Sequence, residues 1–124
     1  MIFIFGQAEK GVFCRPTYVR HPLELFQQFG HPPETSGGIL FALQTLLVSK
    51  PCIFFRVEEE GYSFNDYLRG LDILKSDWEH IKLDAIGIPG VGNSDLIEKT
   101  ERFCFKKRSL ILINEKDLFD FLTN

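Results

Sequence analysis

The sequence predicts an α/β domain, and three observations carry that expectation. From Pro51 onward, apolar runs of strand length alternate with segments of helical spacing. Each apolar run ends in a loop rich in Gly, Pro or acidic residues. The chain has 124 residues, the size of one domain. We therefore expect a single α/β domain over residues 1–124. Its main part is a three-stranded parallel β-α-β-α-β-α unit over about residues 52–122. An N-terminal strand or hairpin and two helices pack on that unit.

The elements follow in order. Ile2–Phe5 is β-branched and aromatic, as a strand requires, and Gly6–Gly11 is a turn. Val12–Cys14 returns as a second strand of a hairpin, limited by Pro16. Pro22 stands at a first helical position, and Gly30 ends the helix that follows. Residues 31–38 hold two prolines and two glycines and form a loop. Ser36–Ser49 is a helix apolar on most sides, hence buried. Cys52–Val57 is a buried strand interrupted by Arg56. Ser63 and Asp66 open the next helix with a capping box. Its apolar face is Phe64, Tyr67, Leu68, Leu71 and Leu74, with Gly70 inside it. A strand over Ala85–Ile88, a helix carrying Leu96, Ile97, Phe103 and Cys104, a strand over Leu110–Ile113 and a short helix over Lys116–Leu122 complete the chain.

Composition narrows the function classes. The net charge is −3, and the basic cluster Lys106, Lys107 and Arg108 closes a predicted helix, where cations complement the helix dipole. Both observations argue against nucleic acid as a partner. Three cysteines without a C-x-x-C spacing give no zinc or dithiol motif and fit a reducing compartment. No apolar run approaches the roughly 20 residues that span a bilayer, and no secretory leader is seen, so a cytoplasmic location without membrane attachment is expected.

Ligands of open α/β sheets bind beyond the carboxyl ends of the parallel strands. Here that rule selects the loops Glu58–Tyr62, Pro89–Ser94 and Asn114–Asp117. In the second loop, Gly90, Gly92, Asn93 and Ser94 lead from a strand into a helix, a junction that can present N–H groups to an anion. The dinucleotide fingerprint and the phosphate loop are both absent, and Asp95 puts a negative charge in the first helical turn. A purely structural turn predicts a positive φ at Gly90 or Gly92, and a cap from Asn93 or Ser94. In the other two loops, Glu59, Glu60, Glu115 and Asp117 are oxygen ligands of the kind Mg²⁺ prefers.

Glu60-Gly61 and Glu115-x-Asp117, with a helix-strand-helix between them, resemble the toprim domain of primases, topoisomerases and RNA-maturation nucleases. The resemblance covers about residues 52–120, and the acidic pair begins with Glu where that family has Asp. It implies Mg²⁺-dependent phosphoryl transfer or nucleic-acid processing.

Three functions are thus expected for a chain in which no catalytic residue can be named and no cofactor is identified. The first is a non-enzymatic protein-interaction module, acting on a protein partner or as a homo-oligomer. It is motivated by the Phe-rich ends Met1–Phe5 and Leu118–Leu122. The second is the Mg²⁺-dependent enzyme. The third is a small-molecule or nucleotide-binding domain at Gly90–Ser94.

Overall fold

The computed structural model describes residues 1–123. Strands β1 (Ile2–Gly6), β2 (Pro16–Val19), β3 (Cys52–Arg56), β4 (Ala85–Gly87) and β5 (Leu110–Leu112) form one sheet in the order β2-β3-β1-β4-β5. All pairs are parallel except β2 with β3. Helices α1 (Pro22–Phe29) and α2 (Gly38–Leu47) cover one face, and α3 (Phe64–Lys75) and α4 (Ser94–Lys107) the other. Helix α5 (Glu115–Thr123) follows β5. This is a Rossmann-like α/β architecture, with the expected parallel strands present.

The N-terminal strand occupies a place the sequence reading did not assign to it. β1 is the centre of the sheet, hydrogen-bonded to β3 on one side and β4 on the other. Phe3 and Phe5 point into the α3/α4 layer, and Ile4 into the α1/α2 layer. All three are fully buried, so Phe3–Phe5 is core, while Met1 and Ile2 are half-buried. Phe3, Phe5, Phe55 and Tyr67 interlock at centroid distances of 5.0–5.8 Å, within the range that favours tilted and edge-to-face pairs.

The expected hairpin does not form. Cys14 has φ 55, which breaks an extended run at the residue where the second strand was placed. The strand begins instead at Pro16 and pairs antiparallel with β3 on the sheet edge, where a missing N–H is tolerated. The intervening loop is held by Arg56, the charged residue that interrupts the apolar run of β3. Its guanidinium donates to Gly11 O and Ala8 O and lies 3.9 Å from the centre of the Phe13 ring.

Capping also differs in part from expectation. Ser63 precedes α3, yet its hydroxyl accepts from Glu59 N–H, and Asp66 accepts from Glu58 N–H. No side-chain cap bond to α3 forms; the two residues bind the preceding loop instead of closing a capping box. Helix α1 starts at Pro22 and ends at Gly30 as expected, with His21 Nδ1 accepting from Leu23 N–H.

Gly70 brings α3 close against the sheet. A Cβ there would stand 2.3 Å from Phe5 Cε1, on a ring locked among Phe3, Phe55 and Tyr67. Glycine inside a helix ordinarily costs roughly 0.8–1 kcal/mol against alanine. Gly70→Ala should reverse that sign and destabilise the protein by about 1–3 kcal/mol through overpacking. Urea unfolding of the two proteins measures the difference, and an unchanged or higher midpoint for Gly70→Ala would contradict the packing described.

Candidate functional site

The chain leaves β1 toward β3 across the α1/α2 face, then steps back past β1 to β4 across the α3/α4 face. The strand order therefore reverses between β1 and β4, and the crevice beyond their carboxyl ends is where such sheets bind ligands. Three acidic side chains of this chain, Glu59, Glu60 and Asp117, reach that crevice.

Glu60 is the organising residue. It is only 8% exposed. One carboxylate oxygen accepts from Gln7 N–H at 3.0 Å and Gly38 N–H at 2.9 Å. The other accepts from Gly37 N–H at 2.5 Å. Gln7 completes a reciprocal pair by accepting from Glu60 N–H through its side-chain oxygen. Gly37 and Gly38 start α2, which has no cap from its own N-cap residue. A carboxylate delivered by the β3–α3 loop thus satisfies N–H groups that the helix start leaves open and lies at the positive end of the helix dipole. The approach is possible because Gly6 and Gly38 meet backbone to backbone: a Cβ on Gly38 would lie 2.5 Å from Gly6 Cα. Burial pushes the Glu60 carboxyl above its ordinary pKa, the three backbone N–H groups pull it down in part, and the Asp117 charge pushes it up.

A second backbone contact joins the next two loops. Gly61 has φ 87 and packs on Gly90, whose own φ is 83. A Cβ on Gly61 would lie 2.2 Å from Gly90 O. Gly61 N–H donates to the buried Tyr67 hydroxyl, whose pKa burial pushes far up, so the phenol stays neutral. The positive φ expected at Gly90 or Gly92 falls on Gly90, and the expected cap is Asn93, whose side-chain oxygen accepts from Leu96 N–H at 3.1 Å.

The resulting cleft has a volume of about 350 Å³ and brings Glu59, Glu60, Gly90 and Asp117 together with Gln7 and Asn114. A neighbouring hollow of about 440 Å³ shares Tyr62, Gly90, Lys116 and Asp117 and adds Gly92 and Asn93. Ser94 and Glu115 line neither hollow; both are exposed. Among the described residues no three His, Cys, Asp or Glu side chains gather where they could hold one metal ion. Of the expected Mg²⁺ set, Glu59, Glu60 and Asp117 line the cleft and Glu115 does not, and both Glu60 oxygens are bonded to the backbone. Gln7 and Thr35 are cleft residues that sequence reasoning missed. The unbroken apolar run before Gly6, buried on both faces like that of β3, was the signal that could have placed Gln7 at a central strand end. Thr35 has φ 64, a strained state for a β-branched residue, and nothing in the sequence marks it.

The charges of the cleft are Glu59, Glu60 and Asp117 against Lys116. Two of the helix starts beside the cleft are taken: Glu60 occupies that of α2, while Asn93 caps α4 and Asp95 lies in its first turn. The buried thiols of Cys52 and Cys104 are each pushed up to about 11 by desolvation, so they are protonated and unreactive at neutral pH.

Glu60→Ala would leave three backbone N–H groups without their acceptor, each costing about 1–3 kcal/mol when buried. Its melting temperature should fall well below that of Glu60→Gln, which keeps one acceptor oxygen. A pH effect follows from the raised pKa. The folded state holds the Glu60 proton to higher pH than the unfolded chain, whose ordinary value is 4.5. The stability linked to this group is therefore full below 4.5 and is lost as pH rises through the raised folded value. Wild type should lose stability relative to Glu60→Gln across that window, and parallel melting profiles would contradict it.

Comparison with protein-family models, curated proteins and solved structures finds no match to this chain.

Proposed function

We propose that this chain is a small-molecule-binding domain whose ligand is a polar organic molecule with amino or hydroxyl groups and no phosphate. The observation that carries the reading is the cleft at the reversal point of the sheet, lined by mixed hydrogen-bonding side chains and anchored by the buried Glu60. Its excess of carboxylates favours a donor-rich or cationic ligand. The occupied starts of α2 and α4 disfavour a nucleotide phosphate, which would meet Glu59, Glu60 and Asp117 in the cleft. The strained Thr35 backbone at the rim supports the reading, because such strain concentrates where ligands are held.

A second reading has its own observation. Leu110 of β5 and Phe119 and Leu122 of α5 are 65–70% exposed. Apolar exposure of this kind marks contact surfaces, and it supports a protein-interaction module with a protein partner or a second copy of itself. No helix is long and apolar enough to cross a membrane among the described residues, so the surface is not a span.

Thermal shift against a panel of amines, sugars and nucleosides, each phosphorylated member beside its unphosphorylated form, tests the ligand reading. A ligand at 100 times its Kd stabilises by about 2.7 kcal/mol, a readily measured shift. An unphosphorylated compound should stabilise the protein, and Asp117→Asn should weaken that compound about tenfold, the loss of one charge-assisted hydrogen bond. Preference for the phosphorylated members would overturn the reading.

A further inference from the structure

We infer that the ligand of the cleft is a polyhydroxylated ring, a free sugar or the ribose of a nucleoside, and that its face lies on Tyr62. This rests on the small-molecule reading and names the ligand class. The acceptors of the cleft are the carboxylates of Glu59 and Asp117. Donors stand beside them. Gln7 lines the cleft, and its side-chain oxygen accepts from Glu60 N–H at 3.2 Å. An N–H group must face the oxygen of a carboxamide, so this amide cannot flip without losing the bond. Its amino group has no partner among the described residues and is left as a fixed pair of donors just after β1. Lys116 adds an ammonium to the same cleft.

That mixture discriminates between ligand groups. A simple alkylammonium only donates, so it suits the carboxylates but opposes the Gln7 amino group and Lys116. A hydroxyl donates and accepts at one atom, so a ring bearing several of them answers both kinds of partner. Two neighbouring hydroxyls suit a carboxylate especially well, because each of its oxygens accepts from one of them. An aliphatic zwitterion also meets both kinds of partner, but it has no ring face to set against an aromatic side chain.

Tyr62 supplies that aromatic side chain. It is 75% exposed and borders both the cleft and the adjoining hollow. The backbone that carries it is held on both sides: Tyr62 N–H donates to Glu59 O at 3.0 Å, and its carbonyl accepts from Phe64 N–H at 2.8 Å. Gly61 beside it packs on Gly90. The core makes no use of this ring. Standing on a fixed backbone with two side-chain torsions, it gives a ligand a large contact area at small entropic cost. The C–H face of a sugar ring fits such a surface while its hydroxyls turn to the polar wall. The adjoining hollow shares Tyr62, Gly90, Lys116 and Asp117 with the cleft, which leaves room beside the ring for a base or other substituent.

Isothermal titration calorimetry of the full chain, with ligands up to millimolar concentration, compares monosaccharides, nucleosides, free bases, phosphorylated sugars and nucleosides, amines and amino acids. A hydroxylated ring should bind, and its phosphorylated form more weakly. A nucleoside that binds better than free ribose and the free base assigns the nucleoside source; a monosaccharide that binds better than the nucleosides assigns the free sugar. Tyr62→Ala should weaken the bound compound about tenfold and Tyr62→Phe less than about twofold, because the ring and not its hydroxyl makes the contact. Both variants should melt with the wild type, since Tyr62 is exposed. Glu59→Gln should also weaken binding about tenfold. Binding of a hydroxylated ring that is unmoved by Tyr62→Ala overturns the inference. The absence of binding by any hydroxylated ring overturns it too, and an amine or amino acid that binds instead leaves the small-molecule reading standing. Better binding by the phosphorylated rings overturns both.

Discussion

One carboxylate ties the upper end of this molecule together. Glu60 comes from the loop after β3, yet its oxygens bond the residue after β1 and the first two N–H groups at α2. Remove it and three segments that share no sequence neighbourhood lose their common anchor. The position of α2 over the sheet, the conformation after Gly6 and the floor of the cleft all depend on it. Such a charge would be costly to bury alone; the three donors make it tolerable, and the residual cost appears as its raised pKa.

The same arrangement shapes what the cleft can accept. A helix start at the reversal point of a Rossmann-like sheet is a common place for a phosphate. Here the chain supplies its own anion to that place. Under the proposed ligand reading, the chemistry left over is that of hydrogen-bond donors facing carboxylates, a different selectivity built on a shared architecture. This is how one fold carries many functions: the site follows from side chains at the strand ends and not from the sheet beneath them.

Much of the fold could be read from local pattern. The run from Cys52 to Val57, the helix spacing after Ser63 and the glycine-to-helix junction at Gly90–Ser94 each report on structure within a few residues, and each appears near its expected place. What failed was long-range. Ile2–Phe5 looks like any short strand, and only its partners Cys52–Arg56 and Ala85–Gly87 make it central. The hairpin was a local inference overruled by β3, which takes β2 as its antiparallel neighbour. The Ser63–Asp66 motif had the right residues, but the preceding loop competed for both side chains. At the site, the strand-end rule found Glu60 and Asp117. Gln7 stayed hidden inside the supposed hairpin turn, and Gly37 and Gly38 read only as the junction of a loop and a helix when their lack of a side chain serves close packing.

The central place of β1 also governs when this protein can fold. A strand made first must wait for both of its neighbours, one about 50 residues later and the other about 80. Neither half of the sheet can close without it, so little of the parallel ladder can form until most of the chain exists. Contacts of such separation slow folding, because loop closure precedes any gain from pairing. Throughout that interval an Ile-Phe-Ile-Phe segment stands with both edges and both faces uncovered. Such a segment is prone to aggregate. The feature that makes the finished core dense thus makes the nascent chain vulnerable, and yield on refolding should be limited by concentration rather than by the stability of the native state.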